Sequence, residues 1–323
     1  MVCQEIFGTR DPRSIAERIV SLCEAALGTL VAGARFYSVS VGCVAGLDLE
    51  DGRAVVVKVN RAERPLAYFE TCATIRTHLA DHGFPCPRPL GAPRRAGSAI
   101  ATFEELVDRG ARGDAHDPGI RGLVAGSLAE MVAIGRPFAS ALRGAWFSSV
   151  PDDRIFPRPH SPLFDFEKTA EGAGWIDDLA RRARARRLDA AGERVVGHFD
   201  WRVEHLRFEG GRVVTSYDWD SLHGERETIL VGATAHAFTA DWTRDDLIQV
   251  PSLEEMRGFV ADYERARGRI FDPPERRTIA ASLVYSTAYT ARCNHALSPR
   301  EEGDMGDFRP LLRAHGDEIL ERF

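Results

Sequence analysis

Val195 to Leu222 reads VVGHFDWRVEHLRFEGGRVVTSYDWDSL, and the rest of the chain is organised around it. An apolar pair leads into His198-Phe199-Asp200. A short apolar strand, Gly210-Gly211, a second strand near Arg212–Ser216 and Asp218-Trp219-Asp220 follow. Gly-Gly between two strand-like runs marks a hairpin turn. A hairpin folds back on itself, so Asp200 and Asp218 face one volume although they are distant in sequence. One carboxylate beside an acceptor hydroxyl and one on a metal ion is the pair that phosphoryl transfer requires.

The chain has 323 residues, 44% of them hydrophobic, enough for one large or two modest domains. A formal charge of -6 argues against a nucleic-acid partner, which usually demands a basic patch and a high pI. Cys3, Cys23, Cys43, Cys72, Cys86 and Cys293 have neither C-x-x-C nor zinc-site spacing, and several lie in apolar runs. A reduced, cytoplasmic protein is expected. MVCQEIFGTRDPRS lacks the basic and apolar regions of a secretory signal, and no apolar run reaches the ~18 residues of a membrane span.

Residues 12–31 carry apolar residues at helical spacing and predict one amphipathic helix. From Phe36 the period changes to two, with Asp51-Gly52 as a hairpin turn, and strands are expected near 36–41, 43–49 and 53–59. The small-residue turn from Ser38 to Gly42 lies between the first two. Lys58 sits inside AVVVKV, a run suited to burial, so its ammonium must reach solvent or an anion. Residues 65–82 predict a helix with its core stripe at Phe69, Cys72, Ile75 and Leu79 and with Arg76 at the solvent edge. Gly83 and three prolines end it. SAIATFEEL (98–106) reads as a strand running into a linker, and the Gly-rich run 108–119 as a domain boundary. A helix ending near Gly135, a shorter one, a proline-rich irregular insert (148–166) and a basic helix follow. Arg181, Arg182, Arg184, Arg186 and Arg187 surround that basic helix, which predicts a solvated face. The segment after the hairpin is mainly helical, with Asp241, Trp242 and Glu264 as candidate acceptor contacts.

AVVVK, the proline-rich segment after a helix, H-x-D-x-x-x-x-H and Y-D-W-D, in this order, resemble the aminoglycoside phosphotransferase and choline kinase-like family over about residues 35–240. The resemblance implies an α+β, bilobal protein-kinase-like fold. Its small antiparallel-sheet N-lobe would span 1–107 and its mainly helical C-lobe 108–323. It implies an ATP-dependent O-phosphotransferase with Mg²⁺, or Mn²⁺ as the second candidate. Asp200 would orient or deprotonate the acceptor hydroxyl, and His198 would hold the loop. Asp218 would bind metal, with His205 and Asp220 as further metal candidates. Lys58 would bind nucleotide phosphate with Glu70 as its partner and Glu63 as the competitor. Ser40 and Gly42 would cover the phosphates, and the backbone of the hinge at Glu104 and Glu105 would hold the adenine. The D-F-G and A-P-E signatures of protein kinases are absent.

Two positions depart from the family. His205 stands where the family has Asn, offering nitrogen where Mg²⁺ prefers oxygen. Phe199 replaces a glycine and adds bulk near the acceptor. The acceptor could be an antibiotic, with a resistance role, or a sugar, amino sugar or amino alcohol. A second reading, prompted by His205, is a catalytically impaired nucleotide-binding or regulatory protein of the same fold.

Overall fold

Strand β3 (Ala54–Arg61) alternates strictly: Val55, Val57 and Val59 are buried, while Val56 and Lys58 point to the opposite face. The three valines join a core with Ile6, Phe7, Ile15, Ile19, Cys23, Leu47 and Phe103. Burying each large aliphatic chain stabilises by about 1.5–3 kcal/mol. That core sets two leading helices, α1 (Val2–Phe7) and α2 (Pro12–Leu27), against one sheet face. Asp11 caps α2 through the Ser14 amide, and Gly28 ends it in the left-handed region. The computed structural model describes residues 2–323 except 62, 146, 147, 149, 160, 302 and 304, so two residues of the 148–166 insert lie outside the described set.

The sheet adds β1 (Val31–Val39), β2 (Cys43–Leu49), β4 (Arg94–Ala96) and β5 (Ala99–Glu105), in the order β1-β2-β3-β5-β4 with every pairing antiparallel. Helix α3 (Leu66–Asp81) follows β3. Strand β1 begins at Val31, earlier than periodicity predicts, because its first residues pair with Leu49 despite being largely exposed. Helix α1 is six residues long, too short for its period to register in the sequence.

The chain divides into compact units at Met1–Arg109 and Gly110–Phe323, with the break two residues after the expected one. The second unit is mainly helical. Helix α4 (Pro118–Gly135) is capped by Asp117 and packs on α7 (Leu253–Arg267); α5 (Gly174–Arg187), α6 (Glu227–Ala235) and α9 (Arg309–Arg322) pack on α8 (Pro273–Leu297). Ser252–Glu255 and Asp272–Glu275 capping boxes start α7 and α8. The insert is pinned to α8: Tyr285 donates to the Ile155 carbonyl (2.8 Å), and Phe156 and Phe166 pack on Tyr289. Arg187 departs from the solvated-face expectation. It is buried, lies over the Tyr285 ring and donates to Ser148. Among the described residues no helix is long and apolar enough to cross a membrane.

Helix α6 approaches α8 closely at Gly232. A Cβ there would stand 2.3 Å from the Ile279 carbonyl oxygen and 2.7 Å from Ser282 Cβ. Gly232→Ala is therefore expected to destabilise the protein by about 1–3 kcal/mol through overpacking. The measurement is a lower urea midpoint at unchanged slope. An unchanged midpoint would mean that the two helices separate at little cost.

Candidate active site

Two antiparallel ladders are nested in the Val195–Leu222 region. The outer one pairs β6 (Arg194–His198) with β9 (Leu222–Arg226), ending at His198 opposite Leu222. The inner one pairs β7 (Leu206–Glu209) with β8 (Arg212–Ser216), starting at Leu206 opposite Ser216. Gly210 (φ 56°) and Gly211 (φ 71°) close the inner turn with two successive positive φ values, the geometry that suits a tight hairpin. Residues 199–205 and 217–221 lie between the ladders and are gathered from both sides into one cluster. The Phe199 amide donates to the Ser221 carbonyl (2.9 Å) and the Tyr217 amide to the His205 carbonyl (2.8 Å), tying the two segments together.

Asp200, His205 and Asp218 meet there. His205 Nε2 lies 3.2 Å from Asp200 Oδ2 and 3.8 Å from Asp218 Oδ2. The imidazole is buried, while both carboxylates keep over a third of their surface exposed. Arg202 contacts Asp200 Oδ1 directly and donates through Nε to Glu204 (2.9 Å). The sequence reading did not single out Arg202 or Glu204. Charged residues alternate along DWRVE, but only the folded loop shows which of them face one another.

His198 is the internal post of this loop. It is fully buried between Trp201 and Trp219, both 5.3 Å away ring to ring. Burial pushes its imidazole down to about 3, with the neighbouring His205 adding to the effect, so the ring is neutral. Nδ1 accepts from the Asp200 amide (3.2 Å), which leaves Nε2–H to donate to the Tyr217 carbonyl (3.2 Å). One ring therefore links the segment holding Asp200 to the segment holding Asp218. It does so as a neutral imidazole.

Asp218 is the single non-glycine residue with positive φ among those described (φ 60°, ψ 48°). Asp tolerates this left-handed conformation better than most residues, at a modest cost. Buried Trp219 offsets that cost by locking the turn through its Nε1–H bond to the Ser216 carbonyl (2.9 Å). The ligand atoms of Asp200, His205 and Asp218 all lie within 4.8 Å of one another, so this donor set fits a divalent cation. Asp220, an expected metal candidate, falls outside that group and sits in the 3-10 turn Trp219–Ser221. Phe199 packs edge-on against His223 (5.5 Å) and stays partly exposed. Glu264 is buried, receiving Arg276 (2.7 Å) and the Phe271 amide (2.8 Å), so it braces α7 and α8 instead of facing an acceptor.

The first unit holds its own charged group. Across the β3–β5 ladder, Lys58 opposes Thr102 and Val56 opposes Glu104, so Lys58 and Glu104 are diagonal neighbours on one face. Lys58 Nζ lies 3.8 Å from Glu104 Oε1. Arg76 of α3 reaches the same carboxylate at 2.7 Å and donates to the Pro87 carbonyl (2.7 Å). Both expectations for α3 are corrected here. Glu70 points to solvent, whereas Arg76, expected at the solvent edge, is buried. The physical reason is local: Arg76 directly follows Ile75 on the core stripe, and a buried carboxylate on the sheet meets it. Glu104, expected as a hinge contact, turns its side chain inward, while Glu105 accepts from the Arg88 amide (3.3 Å). At the Ser38–Gly42 turn the Ser40 amide donates to the Gly42 carbonyl (3.0 Å). Gly42 lies so close to β3 that a Cβ would stand 3.0 Å from the Val59 carbonyl oxygen.

These geometries have counterparts among known proteins. A family model described as "APH: Phosphotransferase enzyme family" matches residues 47–223, more than half of the chain. No curated protein matches the chain. An amicoumacin kinase solved with AMP-PNP, Ca²⁺ and Ami is similar with a TM-score of 0.67 at 12% identity, over 97% of this chain and 96% of that one. A thermostable mutant of the aminoglycoside phosphotransferase APH(4)-Ia, in ternary complex with ADP and hygromycin B, is similar with a TM-score of 0.54 at 12% identity, over 94% and 97%. The macrolide 2'-phosphotransferase MphH from Brachybacterium faecium, solved as apoenzyme, gives 0.53 at 15% identity, over 89% and 100%. At such identities the likeness shows the fold, which is α+β and protein-kinase-like.

Proposed function

We propose, from the premise that this chain belongs to the phosphotransferase enzyme family and is a small-molecule phosphotransferase, that it moves the γ-phosphoryl group of ATP onto a hydroxyl. The acceptor would be an antibiotic, a sugar or amino sugar, or an amino alcohol. The observation that carries this reading is the convergence of Asp200, His205 and Asp218 within 4.8 Å. Asp200 orients the acceptor hydroxyl and takes its proton as the oxygen attacks phosphorus and ADP leaves. Arg202 and His205 hold the Asp200 carboxylate in position. Asp218 and His205 would hold Mg²⁺ or Mn²⁺, which when bound neutralises charge on the phosphate oxygens. Lys58, aligned by Glu104, is the first unit's group for nucleotide phosphate. Ser40 and Gly42 are its backbone candidates.

The test is ADP formation by purified protein with ATP, Mg²⁺ or Mn²⁺, and a panel of hydroxyl compounds. Acceptor-dependent turnover is expected. Nucleotide binding without turnover under either metal would instead favour the impaired, regulatory reading. The histidine gives a separate expectation. Asparagine returns an oxygen donor to the site, so His205→Asn should raise Mg²⁺-supported turnover relative to Mn²⁺-supported turnover. An unchanged ratio would argue that His205 braces Asp200 and binds no metal.

A further inference from the structure

Cys3 and Cys43 stand with their sulfurs 4.0 Å apart, on two elements of the first unit forty positions apart in sequence. Cys43 opens β2, and its register fixes its place. It pairs with Val39 of β1 and Val59 of β3, so it is the foot of the Ser38–Gly42 turn and is held from both sides. Its side chain is buried in the core that α1 helps to cover. Cys3 belongs to the first turn of α1 and is half-buried. The hydroxyl of exposed Tyr37 lies 3.5 Å from the Cys3 sulfur, which places that sulfur at the rim of the core, where a small solute reaches it.

These surroundings give the two thiols different reactivity. Burial holds the Cys43 thiol up at about 11, so it stays protonated and shielded. A small oxidant therefore meets Cys3 first. The other cysteines compete poorly. Cys72 is buried, and burial raises the thiols of Cys23 and Cys86 to about 11 and that of Cys293 to about 12. A disulfide brings its sulfurs to about 2.05 Å, so the pair must close by roughly 2 Å. Moving β2 that far would disturb the ladders on both of its sides. Helix α1 is free of that constraint. It has six residues, fewer than a helix needs to be stable by itself, and its anchors all lie C-terminal to Cys3: buried Ile6 and Phe7, and the Glu5–Arg61 ion pair (2.8 Å).

We propose that Cys3 and Cys43 form a peroxide-responsive pair whose disulfide fastens α1 to the foot of the Ser38–Gly42 turn. The Cys3 sulfur attacks one oxygen of hydrogen peroxide, the O–O bond breaks, and the other oxygen leaves as water with the Cys3 proton. The Cys43 sulfur then attacks the resulting sulfenic sulfur. The S–S bond forms, the S–O bond breaks, and the hydroxyl leaves as a second water with the Cys43 proton. Two thiols are oxidised and one peroxide is reduced. A dithiol reductant reverses the step by exchange. The site is independent of the phosphotransferase reading.

The test treats reduced full-length protein with hydrogen peroxide, then unfolds and alkylates it. Of the six cysteines, four should alkylate and the other two should appear as one cross-linked Cys3–Cys43 peptide, and dithiothreitol should restore all six. Cys3→Ser should keep its remaining thiols under the same treatment. Cys43→Ala removes the attacking thiol, so dimedone should capture Cys3 as its sulfenic acid in this variant. Cys3→Ser, at the rim of the core, decides the matter should Cys43→Ala fail to fold. Amide hydrogen exchange across α1 should slow about tenfold in the oxidised protein, because the cross-link closes a forty-residue loop. Six alkylated thiols, a cross-link between other cysteines, or Cys3 as a sulfinic acid beside a free Cys43 overturns the pair. Unchanged α1 exchange in cross-linked protein overturns the fastening. None of these readouts uses turnover.

Discussion

Asp200→Asn is expected to lower acceptor-dependent ADP formation by about 10²–10⁴-fold, the usual scale for losing a positioned general base. The amide keeps the shape of the carboxylate and can still accept from Arg202, so folding should be preserved. Nucleotide affinity should also survive, since the proposed metal ligand Asp218 and the proposed phosphate-binding group Lys58 are untouched. The informative comparison is single-turnover chemistry against nucleotide binding in one preparation. A fall in the first with the second retained assigns Asp200 to the proton-transfer step. Retained turnover would remove it from that step and return the hairpin to a structural role.

The second large effect concerns stability. Glu104 meets both Lys58 and Arg76, and all three side chains are largely buried. Removing it by Glu104→Ala takes the carboxylate from the buried Arg76 guanidinium. Breaking a buried ion pair in this way costs about 3–5 kcal/mol, much of it from burying a charge whose partner is gone. Urea unfolding should show that loss, and nucleotide affinity should fall with it as Lys58 loses its alignment. Glu70→Ala, on exposed α3 surface, should change stability by no more than about 0.5 kcal/mol. The ordering of the two variants is the discriminating observation. Were Glu70 the more damaging site, the lysine's working partner would come from the helix, as the family resemblance implies.

That pair of substitutions also marks where sequence reading stops. Lys58 stood out because a lysine inside an apolar, alternating run must find an anion or solvent, and strand periodicity placed it on the face opposite Val55, Val57 and Val59. Its partner depended on how β3 registers with β5 and how α3 lies over that face, which are long-range choices. A helical stripe with an arginine beside it looks the same whether that arginine reaches water or a buried glutamate. Sequence pattern turns both Arg76 and Arg187 toward solvent for this reason, yet both are buried. Charge alone gives the wrong side whenever a fold provides a counter-charge or an aromatic face.

The hairpin was more legible. Gly210-Gly211 closes its turn, two β-branched runs pair, and the acidic positions fall just outside the paired segments, so Asp200 and Asp218 had to approach. Local chain stiffness and the period of two determine that much. Only the tertiary structure decided that an outer ladder closes around the inner one, that a buried neutral His198 ties the two segments, and that His205 turns its ring between the carboxylates. These depend on packing around Trp201 and Trp219 and on backbone groups finding partners far along the chain. Trp242 is the extreme case. Its sequence neighbourhood reads as ordinary helical surroundings, yet its backbone amide bonds Glu204 across segments about forty residues apart, which no local pattern encodes.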